Sequence, residues 1–291
     1  MLTDGHAASE GYPGPGLTRD RGTLLTGGVL IAVAALAWLA VILHTAQMPG
    51  MSPAGMPGMS MGESDMGMTA TTDSGPASLT GAAAYLVAWG LMMAAMMLPS
   101  ATPMIALYGA VHRQSARTGR RGVSTALFAL VYLAVWTAFG IPVYAASVLV
   151  DVAAGASPAV AGLLPYGVAL VLLMAGAYQL SPLKEVCLRV CQSPLGFLLG
   201  RWRGGYRGTL EMALRHAAYC VGCCWALMIV LVAAGAMGLH WVLLIAAVVF
   251  AEKLLPRGAW MARIVGGVLL GLGLLVAAQP DLVGALRGQM A

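Results

Sequence analysis

Residues 216–228 read His-Ala-Ala-Tyr-Cys-Val-Gly-Cys-Cys-Trp-Ala-Leu-Met, which puts the thiols of Cys220, Cys223 and Cys224 within five positions of an otherwise apolar run. Polar and reactive groups are costly inside a membrane and tend to mark function there. On a helix, Met212, His216, Cys220, Cys224 and Met228 step by four residues and form one slowly turning stripe, with Cys223 on the same side. Thiolate, thioether and imidazole are the soft and borderline ligands that favour Cu(I) and, less selectively, Zn(II). A single cysteine in such a helix reads as small-residue packing. Three in this pattern point to metal or redox chemistry.

Soft groups recur along the chain. All five cysteines lie between residues 187 and 224, an odd and clustered set that argues against a secreted disulfide framework. Cys187 and Cys191 stand four apart in a short helix opened by Ser181 and Pro182, a cap and a first-turn proline. At that spacing two thiols can clamp one soft ion, and the nearby Lys184 and Arg189 are expected to lower their pKa values. Met92, Met93, Met96 and Met97 form two i,i+4 pairs just before Pro99 and Pro103, prolines expected to kink the helix and open room for a ligand. Met237 sits at the far end of the cysteine helix. A Gly/Pro/Ser-rich stretch carries Met48, Met51, Met56, Met59, Met61, Met66 and Met68, a low-affinity capture tether for a soft cation. Glu252 and Lys253 stand side by side near the end of an apolar run, as a local ion pair or as charge partners for a passing cation. Lys184, Glu252 and Lys253 are therefore auxiliary candidates.

The elements that must position these groups are membrane helices. The chain is 59% hydrophobic and 9% charged, against about 25% charged in soluble proteins, and its mean hydropathy is +0.82. The expected fold is an all-α polytopic membrane protein with about seven transmembrane helices. The spans run approximately over 23–45, 81–108, 123–150, 158–180, 208–236, 241–255 and 259–278. The domain reading is a disordered cytoplasmic tail at 1–22, an anchor helix at 23–45 and a Met-rich extracytoplasmic linker at 46–79. A six-helix membrane domain follows at 80–279, with a cytoplasmic cysteine-bearing helix at 182–200, and a short tail occupies 280–291. Arginine clusters in 111–122, 181–207 and 257–263, whereas 46–79, 151–157 and 237–240 carry no Lys or Arg. The positive-inside rule then sets the N-terminus inside and the C-terminus outside. The first span reads as a retained signal anchor, and the expected location is a bacterial cytoplasmic (inner) membrane. Thioethers would lie toward the outside and thiols toward the inside, a ladder suited to capture and inward relay.

The chain resembles a bacterial family of predicted metal-binding integral membrane proteins. The resemblance rests on Met-Met-Ala-Ala-Met-Met-Leu-Pro at 92–99, Ser-Pro-Leu-Lys followed by Cys187 and Cys191, Cys-Val-Gly-Cys-Cys-Trp-Ala-Leu-Met at 220–228, and Glu252-Lys253. It spans about residue 81 to the last helix and implies metal binding within the membrane. The leading functional reading is capture and relay of Cu(I), for uptake or for delivery to a cuproenzyme under assembly. Copper is the expected metal, with zinc or no metal as alternatives. The lipid bilayer and a metallochaperone or cuproenzyme assembly partner are the expected partners. A membrane thiol–disulfide oxidoreductase using Cys220/Cys223 and Cys187/Cys191 is the alternative, and a structural assembly factor is a third reading. Haem ligation by His216 with Met212 or Met228 lacks any mark of a porphyrin pocket. A hydrolase is disfavoured because no nucleophile has a base and an orienter. No catalytic residue is assigned, and with no dense basic tract nucleic-acid binding is not expected.

Overall fold

Backbone N–H and C=O groups in hydrocarbon must be satisfied inside their own segment, so long apolar runs of Ala, Leu and Val resolve into helices. The computed structural model describes residues 21–47, 79–117, 125–201, 205–233 and 239–281, and among these residues there are helices and no strand. The helices are α1 (Arg21–Gln47), α2 (Leu79–Arg117), α3 (Thr125–Ala156), α4 (Pro158–Gln179), α5 (Pro182–Gln192), α6 (Pro194–Arg201), α7 (Gly205–Ala233), α8 (Leu239–Leu254) and α9 (Gly258–Ala278). Six of them, α1, α2, α3, α4, α7 and α9, are long and apolar enough to cross a membrane. The run expected as a further span at 241–255 is α8, which has 16 residues. At about 1.5 Å per residue it reaches roughly 24 Å, short of the ~30 Å hydrocarbon thickness. Apart from their edges, the expected tails and the Met-rich linker lie outside the described residues, and so do Met237 and the seven linker methionines.

The single helix expected at 182–200 is two. It breaks at Ser193, whose φ of −118° and ψ of 68° leave the helical region. The reason is Pro194, which supplies no N–H and crowds the residue before it out of the helical conformation. At the other end of α5, Ser181 caps the helix by accepting from the Lys184 N–H at 3.3 Å, with Pro182 in the first turn, as expected. In α2 the helix runs on through Pro99 and Pro103. Hydroxyls there bond to backbone carbonyls, Ser100 Oγ to Met97 O at 3.0 Å and Thr102 Oγ1 to Leu98 O at 2.8 Å.

α7 lies at the centre. Its buried residues run from Gly208 to Leu231 and include the whole cysteine stripe, and it packs against α3, α4, α5 and α8. Around it, α1 packs on α2 and α4 on α9. The α4–α9 contact is a close approach through glycine: a Cβ at Gly266 would stand 3.0 Å from Gln179 Cβ, and one at Gly273 would meet Leu173. Gly267 and Gly271 face open space. Large apolar side chains such as Leu25, Leu36, Leu130, Leu149 and Leu274 are exposed around the outside, as lipid-facing residues should be.

Three contacts gather the arginine-bearing ends. Arg113 donates to Thr23 Oγ1 at 2.9 Å, joining the end of α2 to the start of α1. Tyr108 and Thr209 hydroxyls meet at 2.7 Å, joining α2 to the start of α7. Arg263 reaches Glu185 at 3.8 Å, joining the start of α9 to α5.

Candidate metal centre

The α7 stripe turns a uniformly buried face into the bundle. Met212, His216, Cys220, Cys223, Cys224 and Met228 are all buried, the three cysteines at 1% exposure each. Four elements close over the thiols. From α5, Cys191 brings its sulfur to 3.7 Å from that of Cys223. Cys223 and Cys224 sulfurs stand 3.3 Å apart, and Cys223 donates to the Cys220 carbonyl at 3.2 Å. The Cys220 thiol interacts with those of Cys191, Cys223 and Cys224. From α3, the Tyr132 hydroxyl lies 3.0 Å from Cys220 Sγ. From α8, Lys253 Nζ lies 3.0 Å from the same sulfur. From α2, Ser100 Oγ and Met97 Sδ lie 3.3 and 3.9 Å from Lys253 Nζ.

Four thiols from two helices therefore converge on one buried point, and all are free. Two sulfurs sharing a tetrahedral ion at about 2.3 Å each stand roughly 3.8 Å apart, close to the Cys191–Cys223 separation. Cys223 and Cys224 are nearer than that, in thiol–thiol hydrogen bonding. Among the described residues no group of three or more His, Cys, Asp or Glu is placed so that it could hold a metal ion as it stands. The donor set nonetheless fits a soft cation: four thiols, a thioether beside them, and no carboxylate among their described contacts.

Cys187 sits elsewhere on the same helix. It packs on Gly222, where a Cβ would stand 2.9 Å from its sulfur. The glycine of Cys-Val-Gly-Cys thus admits α5 against α7, and its carbonyl also accepts from the Tyr178 hydroxyl. The acidification expected for Cys187 and Cys191 is reversed. Burial pushes the Cys187 thiol up. The Cys191 thiol is raised well above the usual range, first by its hydrogen bond with Cys220 and further by burial, against a lowering contact from Cys223. The expected basic neighbours are engaged: Arg189 pairs with Glu185, and Lys184 with Glu252.

That second pair is the core of a polar joint. Lys184 Nζ and Glu252 Oε2 meet at 2.7 Å with both side chains 1% exposed. Gln179 donates to the other carboxylate oxygen at 3.1 Å and accepts from Lys184, and Gln192 donates to the Glu252 carbonyl at 2.7 Å. Glu252 thus fixes α5 and α4 to α8, while its neighbour Lys253 faces the thiols.

Of the expected methionines, Met97 is tied to the cluster through Lys253. Met93, Met96 and Met228 are buried in the surrounding core, and Met92 is partly buried. His216 lies one turn from Cys220 in an aromatic cage, with ring centroids 6.0, 5.9 and 5.8 Å from Phe128, Tyr132 and Phe197. Its Nδ1 has no hydrogen-bond partner among the described residues. Tyr132 is a site residue that the sequence reading did not single out; it bridges α3 to α7, and its hydroxyl ends on the central thiol. The available signal was a tyrosine inside an apolar span, whose hydroxyl needs a partner if it is buried. Ser100, Gln179 and Gln192 carried no comparable one.

Residues 86–276 match the model of a family described as PpoB2, copper chaperone. No curated protein and no solved structure matches the chain.

Proposed function

Because the chain belongs to the PpoB2 copper chaperone family, we propose that it holds Cu(I) as cargo on Cys191, Cys220, Cys223 and Cys224 and hands it to a copper protein under assembly. The observation that carries the proposal is the meeting of four thiols from α5 and α7, three of them on buried residues and Cys191 on a partly buried one. Thiols are the softest ligands a protein offers, and Cu(I) is the common cation that most favours them. Met97 is the adjacent thioether. The linker methionines Met48 to Met68 serve as weak first ligands on the outer side, and Met92, Met93, Met96, Met228 and Met237 as intermediate ones. On this reading copper moves inward from the linker toward α5, whose end of the bundle carries the arginines. His216 stands behind Tyr132 and tunes the centre rather than closing it.

The test is anaerobic titration of the full-length protein in nanodiscs with Cu(I), against a chromogenic Cu(I) chelator. Wild type should retain a stoichiometric ion at chelator concentrations that strip a variant with all four cysteines changed to Ser. Equal retention by the two would end the proposal.

One observation favours thiol redox as a second reading: Cys191 and Cys223 face each other across two helices at 3.7 Å. A small rotation of both would bring them to bonding distance. The pair would then be Cys191–Cys223, in place of the two within-helix pairs expected from spacing. Each turnover would form one S–S bond and pass two electrons and two protons to a membrane quinone. A protein that gives five alkylatable thiols before and after incubation with quinone would exclude it.

A further inference from the structure

Among the described residues, Lys253 is the one buried cation whose partners include no carboxylate. It is 7% exposed. An ammonium carries three hydrogens, and three acceptors surround this one: Cys220 Sγ at 3.0 Å, Ser100 Oγ at 3.3 Å and Met97 Sδ at 3.9 Å. The adjacent carboxylate, Glu252, faces the other way and is taken by Lys184 and Gln179. Glu185 pairs with Arg189 and Arg263, and Glu211 with Arg215. A buried charge persists only when it is paired. Among the described residues the Cys220 sulfur, 3.0 Å away, is the ionisable group that stands against Lys253.

We propose that Lys253 is the resident counter-cation of the copper centre. This rests on the copper reading above. A cuprous ion held by the four sulfurs, two of them as thiolates and two still protonated, carries one net negative charge, and the ammonium beside Cys220 cancels it. The loaded centre is then neutral where water is excluded. Removing the ammonium leaves a buried anion or costs the ion one thiolate. Ser100 and Met97 hold the ammonium at the edge of the thiols, so that it compensates their charge without standing in the place of the cargo. The joint around Glu252 fixes the α8 backbone next to it and so sets where Nζ lies.

The experiment compares wild type with Lys253→Met, which keeps the length of the side chain without its charge, and Lys253→Arg, which keeps the charge. All are full-length proteins in nanodiscs, titrated anaerobically with Cu(I) against bicinchoninate, and their thermal unfolding is followed without metal. Lys253→Met should lose about a hundredfold in Cu(I) affinity, the scale of one lost charge contact in a partly shielded site. Its metal-free unfolding temperature should hold or rise, since buried charges are often replaced by apolar groups without loss. A side chain that only packs would lower both. Lys253→Arg should stay within about tenfold of wild type in Cu(I) affinity, on the same charge argument. If wild type binds and Lys253→Met binds equally well, the counter-cation role is overturned while the copper site stands. If wild type itself binds no Cu(I), both fall. If Lys253→Met does not fold but Lys253→Arg folds and binds, the charge is required by the thiols themselves and the role holds. A folded Lys253→Arg without Cu(I) binding overturns it.

Discussion

Changing Glu252 to Gln keeps the size of the side chain and removes its charge, leaving the Lys184 ammonium buried at 1% exposure without its 2.7 Å partner. Breaking one half of a buried ion pair costs about 3–5 kcal/mol, and the amide oxygen of the new side chain places the expected cost at the lower end. The cost falls first on α5. This helix has 11 residues, its continuation is cut at Ser193, and Lys184 is its buried polar link to α8. A penalty of ~3 kcal/mol corresponds to roughly a hundredfold rise in the open population, at about 1.4 kcal/mol per decade. Cys191 rides on α5 and reports that opening. In Glu252→Gln its alkylation by a membrane-impermeant maleimide, read by peptide mass spectrometry, should accelerate about a hundredfold if opening limits labelling. Alkylation of the deeper Cys224 should change far less. Removing the stranded charge as well, in Lys184→Met/Glu252→Gln, should bring the rate most of the way back. Equal labelling of Cys191 in wild type and Glu252→Gln would refute the claim that this pair holds α5 down.

Other consequences follow from the same geometry. Cys191→Ser should weaken Cu(I) retention at least about tenfold, because a hydroxyl is a poor soft ligand, whereas Cys187→Ser should leave it nearly unchanged; chelator competition reads both. Tyr132→Phe removes the hydroxyl 3.0 Å from Cys220 Sγ and should cost about 1 kcal/mol in thermal or denaturant unfolding. Gly222→Ala puts a methyl 2.9 Å from Cys187 Sγ and should destabilise by about 1–3 kcal/mol, with Cys187→Ala in the same chain restoring most of it. Burial raises the Cys187 thiol, so the folded protein keeps a proton that the unfolded chain loses. Stability should therefore fall as pH rises past the ordinary thiol range, and the alkylation–pH profile of Cys187 should lie above that of a free thiol. A Cys187 profile at or below the free-thiol midpoint would contradict the burial assigned to it.

The α7 stripe was legible because a four-residue step on a helix is a local property, and Met212 through Met228 do share a buried face. The choice between Cys187 and Cys191 was not. Both lie on one side of α5, and which meets Cys223 depends on how α5 crosses α7 over Gly222. The charges misled for a related reason. Lys184 and Arg189 are near the thiols in sequence, yet each is engaged by a carboxylate, one of them 68 positions away. Lys253 looked like a partner for Glu252 beside it, but neighbours on a helix point about 100° apart, and the two serve different sites. The break at Ser193 was readable from Pro194. The shortness of α8 was legible as well, since the run expected at 241–255 holds only 15 residues, against 16 in the helix.

The chain contains two lysines, Lys184 and Lys253, and both ε-amines are buried. Amine acylation, routine for surface immobilisation and dye labelling, therefore finds no lysine to modify while the bundle is closed. An acyl group appearing at either position records an opened molecule, and the two positions record different openings. Lys184 reports the lifting of α5, and Lys253 reports exposure of the thiol centre. A pulse of water-soluble active ester followed by digestion at arginine would resolve the two events in one sample.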